Sequence, residues 1–127
     1  MNLATRPNSL RVIADHAPGV HRTDSDDIWW WLPVIGPTAS VLAFTLARHA
    51  GYAETCWGID TLAHTIGLAG NRSKLWASLE RLCQFRAARF VATDVMMIRL
   101  NLSELSPRPL ARLPDDRAAS YRSAVAA

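Results

Sequence analysis

Between Asp27 and Arg48 the chain runs for twenty residues without a charge. Such a run either crosses a bilayer or is buried in a core. Its length would suffice for a span, since about 20 residues cover the hydrocarbon thickness. Its composition argues against one. Pro33 and Pro37 each remove a backbone donor and interrupt a helix, and Gly36, Thr38, Ser40 and Thr45 dilute the apolar character. The run therefore divides into an apolar extended entry, Trp29-Trp30-Trp31-Leu32-Pro33, and a helix from about Thr38 to Ala50, too short to cross alone. The expectation is a cytoplasmic protein with no membrane partner, no secretory signal and both cysteines reduced. A peripheral membrane protein using residues 28–47 is the minor alternative.

At 127 residues the chain is one domain with room for tails. Residues 1–27 read as a poorly ordered segment in which Leu10 to Ile13 is a candidate short strand. Residues 28–102 read as the folded domain. Pro107, Pro109 and Pro114 punctuate a linker, and Asp115 to Ala127 forms a terminal helix with acids in its first turn, so 103–127 is the third part.

Within the domain, Pro37 opens the first helix, and Val41, Leu42, Thr45, Leu46 and His49 recur at helical spacing, with Gly51 as the stop. Cys56–Gly58 is a candidate strand. Asp60 caps a short helix through Leu62, Ala63 and Ile66 that ends at Gly67. A further helix starts near Ser73, with Leu75, Leu79 and Leu82 as its core stripe, and no glycine marks its end. Phe90-Val91, a Thr93-Asp94 turn and Val95 to Leu100 make a β-hairpin, with Met96, Ile98 and Leu100 on one face.

Charge is unevenly placed. The formal net charge is +3, but residues 71–99 carry +4, while residues 1–27 and 28–70 carry −1 each. Thirteen of the fourteen basic residues are Arg, which suits forked contacts to phosphate, guanine or carboxylate. A GC-rich genome is an equal explanation of the bias.

The stretch Asp60-Thr61-Leu62-Ala63-His64-Thr65-Ile66-Gly67-Leu68, a glycine-containing turn, and Leu75-x-x-x-Leu79-x-x-Leu82-x-x-Phe85 followed by a hairpin resembles a winged helix-turn-helix over residues 37–102. The opening Trp-Leu-Pro-Val-Ile-Gly-Pro-Thr-Ala is similar to that of small actinobacterial winged-helix regulators. The implied fold class is mainly α with a small β-hairpin (α+β): a three-helix core, a short wing and a C-terminal helix. The resemblance implies duplex DNA as partner, with the helix after Asn71 in the major groove. On that reading Asn71, Arg72, Ser73, Lys74, Ser78 and Arg81 form the DNA-facing front, and small Ala77 and Ser78 permit close approach to the bases. Arg89 and Arg99 support from the wing, whose tip residue Asp94 repels phosphate. A solvated helix face is the plain alternative.

Trp29, Trp30 and Trp31 cannot all face one core from an extended segment, so at least one packs against another element of the chain or against another chain: packing within the chain is the plain reading, and a homodimer interface or a site on a protein partner the sharper one. An interaction module built on this Trp-rich segment is the competing function. Cys56, Cys83, His49 and His64 have no metal-ligand spacing. No phosphate loop, acid pair or nucleophile elbow occurs. Neither a metal, a cofactor nor an enzymatic activity is expected.

Overall fold

The computed structural model describes residues 6–126. Among them six helices and six strands build a mixed α+β fold. Four strands form one sheet: β1 (Ser9–Asp15), β3 (Thr55–Gly58), β4 (Ala88–Ala92) and β5 (Val95–Arg99). Their order is β3-β1-β5-β4. The helices are α1 (Ile28–Ile35), α2 (Pro37–Ala50), α3 (Ile59–Thr65), α4 (Arg72–Gln84), α5 (Pro107–Leu110) and α6 (Asp115–Ala126). Two residues of β2 (His21–Arg22) pair with β6 (Asn101–Leu102).

The N-terminal segment is not loosely attached from Arg6 onward. β1 lies inside the main sheet, antiparallel to β3 and parallel to β5, with Val12 opposite Thr55 on one side and Met96 on the other. Alternation explains it: Leu10 and Val12 are fully buried while Ser9 and Arg11 face solvent. The fold is correspondingly richer in β structure than a three-helix core with a wing. Residues 1–5 of the proposed N-terminal segment and Ala127 of the terminal helix lie outside the described residues.

The tryptophan entry is also not extended. Ile28, Trp29 and Trp30 donate backbone N–H bonds to the Ser25, Asp26 and Asp27 carbonyls, starting α1. Pro33 comes four residues after Trp29 in a helix of eight, so it removes a single internal bond. Gly36 then turns the chain at φ 88°, a left-handed conformation open to glycine, and Pro37 starts α2 without an unused donor.

The core face of α2 is rotated from the expected one. Leu42 and Leu46 point inward with Ala39, Ala43, Ala47 and Ala50, whereas Val41 is 49 % exposed and His49 faces solvent. Small residues at i, i+4 and i+8 allow another helix to approach closely, so the alanines rather than the bulkier Val41 and His49 take the packed side. On α4, Leu75, Leu79 and Leu82 are fully buried, as the stripe requires. They meet Leu10, Val12, Met96 and Ile98 of the sheet in one core. Each such side chain contributes about 1.5–3 kcal/mol relative to exposure.

Helix α4 starts one residue before Ser73. Its cap is Asn71, whose side-chain oxygen accepts the Lys74 N–H at 3.0 Å. It ends with Arg86 at φ 60°, and the Ala87 N–H returns to the Leu82 carbonyl. An Arg fills the left-handed position that glycine usually takes, which is why the sequence carries no stop signal there.

Helix α6 buries only Ala118 and Tyr121. Tyr121 pins it: the Leu105 N–H donates to its oxygen at 2.7 Å, and His21 Nε2 lies 2.7 Å away. His21 Nδ1 meets Asp27 at 3.1 Å. The relay in which Tyr121 donates to Nε2 and Nδ1–H donates to Asp27 gives every donor an acceptor.

Candidate nucleic-acid interface

Helices α3 and α4 are joined by a short turn and bound by a fork. Arg72 donates from Nε and Nη2 to the two Asp60 oxygens at 2.7 and 2.8 Å, and from Nη1 to Asn8 at 2.9 Å. The bidentate contact holds the Asp60 carboxyl below the usual carboxylate range. Arg72 is thus a brace between helices rather than a free reader of bases.

Two further members of the proposed front are not on it. Ser78 is 7 % exposed and donates to the Lys74 carbonyl. Arg81 turns toward α1, donating to the Ile35 and Val34 carbonyls at 2.6 and 3.0 Å, with its guanidinium over Phe85. It satisfies the unpaired carbonyls at the C-terminal end of α1, where a cation also opposes the helix dipole. Arg112 donates to the same Val34 carbonyl.

The hairpin cations are engaged as well. Arg99 donates to Ser103 and to the Pro18 carbonyl at 2.8 and 2.6 Å. Arg89 is looser, 62 % exposed, with Asp15 at 3.7 Å and the Met97 sulfur at 3.2 Å. The wing itself is tied into the sheet, since the Arg11 N–H donates to the Asp94 carbonyl. The local +4 is therefore distributed over several faces.

The outward stripe of α4 carries Ser73, Lys74, Ala77, Glu80 and Gln84. Lys74 makes no ion pair among the described residues, and Glu80 is bound by Arg6 at 2.9 Å. Arg6 also lies over Trp76, which is buried and stacked on Phe90. Arg6 has no recognisable role in the sequence, because its partners are seventy or more positions away.

The three tryptophans point three ways, as a helix dictates. Trp31 is 5 % exposed and part of the core. Trp30 packs edge-on against Tyr121 and lies 4.3 Å under the Arg117 guanidinium. Trp31 is thereby withdrawn from the surface, and Trp30 is half-buried. Trp29 remains, 62 % exposed, at the lip of a hollow of about 220 Å³ walled by Ile28, Leu32, Val41 and Phe44, with Asp26 on its rim.

Among the described residues, no helix is long and apolar enough to cross a membrane, and no group of three or more His, Cys, Asp or Glu side chains could hold a metal ion. Cys83 is half-buried, which pushes its thiol up from its ordinary range. Comparison with protein-family models, curated proteins and solved structures finds no match to this chain.

Proposed function

We propose that the chain is a winged-helix protein that binds duplex DNA and regulates transcription in the cytoplasm. The observation that carries the reading is the outward N-terminal half of α4. Ser73, Lys74 and Ala77 stand clear of the core, and the Arg72–Asp60 fork fixes α4 against α3 behind them. The succession α2, β3, α3, α4, β4, β5 matches that of a winged helix, with β1 as an added strand between β3 and β5. Small residues flanking one cation suit close approach to base edges. Of the cations in the proposed site, Lys74 and the loosely held Arg89 are the ones left to meet phosphates.

The test is binding to pooled genomic fragments at several salt concentrations, followed by selection from a random duplex pool. Two phosphate contacts give a slope of log K against log salt of about −2. No binding at low salt would sink the reading. A second reading, a winged-helix module that binds protein, is favoured by the weak net charge of the α4 stripe, where Lys74 stands against Glu80, and by the exposed Trp29.

A further inference from the structure

We infer that the α1–α2 face is where a second copy of this chain docks, with Trp29 of each copy lying on Val41 and Phe44 of the other. The inference is independent of the DNA reading. Among the described residues, Trp29 and Val41 are two of the few large apolar side chains left exposed, at 62 % and 49 %. They border one hollow, whose remaining walls are Ile28, Leu32 and Phe44. An exposed apolar cluster of this kind marks an interaction surface.

The shape and charge of the face select the occupant. It carries both a projecting indole and an adjoining hollow, so it offers in one place what a two-fold contact requires of the same patch on both partners. One charge of each sign borders it, Arg48 also lining the neighbouring hollow of Arg22, Asp24 and Tyr52. Asp26 lies on the rim, and the Arg48 guanidinium is 5.9 Å from the centre of the Phe44 ring. Neither side chain makes an ion pair among the described residues. A two-fold axis lying in this face and bisecting the line from Asp26 to Arg48 sets each Asp26 against the Arg48 of the second copy. The proposed contact requires the same operation to bring Trp29, on α1, over Val41 and Phe44, on α2. A partner of one predominant charge would leave one of the two unmatched; a second copy matches both. A standard contact takes roughly 800 Å² from each copy, a little over a tenth of the 7064 Å² surface.

The experiment is sedimentation velocity on the full chain without DNA, up to about 100 µM, where a micromolar contact is saturated. Wild type is expected to be a dimer, with tryptophan emission moving to the blue as concentration rises and Trp29→Phe abolishing that movement. Val41→Glu, at an exposed helix position, should raise Kd at least about tenfold, with circular dichroism unchanged and the melting temperature unchanged at concentrations where both proteins are monomeric. Asp26→Arg should give a monomer, and adding Arg48→Asp in the same chain should restore the dimer. That rescue belongs to reciprocal pairing alone. A monomer at about 100 µM, a dimer unaffected by Val41→Glu, or a double swap that stays monomeric would overturn the proposal; the first would leave the hollow to a different protein.

Discussion

Arg72 grips Asp60 through two parallel hydrogen bonds, and this fork joins the two helices of the proposed reading head. Its effect depends on pH. Asp60 is held below its usual range, chiefly by the hydrogen bond from Arg72. A carboxyl whose folded pKa is depressed contributes stability above its unfolded value, about 3.9, and loses that contribution as pH falls through the folded value. Arg72→Ala should therefore lower the melting temperature slightly at pH 7, and the gap from wild type should close at strongly acid pH. A gap of constant size across that range would show that the ion pair is not its cause. Arg72→Lys should not restore wild-type behaviour, because an ammonium cannot reproduce the fork.

Lys74 and Arg81 should separate cleanly. Lys74→Ala removes an outward cation and should flatten the salt dependence of DNA binding by about one unit, with the melting temperature unchanged. Arg81→Ala uncovers the Val34 and Ile35 carbonyls and should lower stability, with the salt slope kept. Titrations at several salt concentrations, beside thermal melts, read both. If Arg81→Ala flattened the slope and Lys74→Ala did not, the front of α4 would be wrongly assigned.

Tyr121→Phe should destabilise the chain by about 1–3 kcal/mol, because the Leu105 N–H loses its acceptor and His21 a partner. Burial raises the Tyr121 phenol above its ordinary range. An acid with a raised folded pKa gives stability that is complete below its unfolded value, about 10, and is lost as pH rises through the folded value. Wild type should thus lose more stability than Tyr121→Phe as pH rises above about 10. Urea melts of both proteins over that range measure it.

Leu10→Ala should cost about 2–5 kcal/mol, the range for a buried leucine at a site that cannot collapse. Removing residues 1–15 should abolish cooperative unfolding, since both neighbours of β1 lose their ladders. A truncated chain that still melts cooperatively would mean that β3 and β5 can close the gap by themselves.

The sequence was most readable where spacing is local. Leu75, Leu79 and Leu82 recur within two turns of α4, and Met96 and Ile98 alternate along β5, so those elements and their buried faces follow from pattern alone. What could not be read is which distant group a polar side chain finds. Arg81 meets carbonyls 46 and 47 positions away, and Arg99 reaches back 81 positions to Pro18. A cation on a helix face and a cation clamping a neighbouring helix have the same local sequence. The extended conformation expected for Trp29–Trp31 fails for a related reason. Pro33 suggests extension, but a proline late in a short helix removes one bond, and packing of Trp31, Val34 and Ile35 outweighs it.

The place of β1 has a consequence for how the chain is made. Arg11 pairs with Val95, so this strand leaves the ribosome roughly 80 residues ahead of its central partner. At about 5–20 residues per second, that is on the order of 4–16 s with one edge unmatched. Helices α2 to α4 can form meanwhile, but the sheet that backs them cannot close. Stalled nascent chains should stay protease-sensitive until Arg99 has cleared the exit tunnel, and then become resistant in one step. Synthesis thus proceeds with its first strand waiting for nearly its last, and for that interval Leu10 and Val12 are the residues most exposed to wrong pairing.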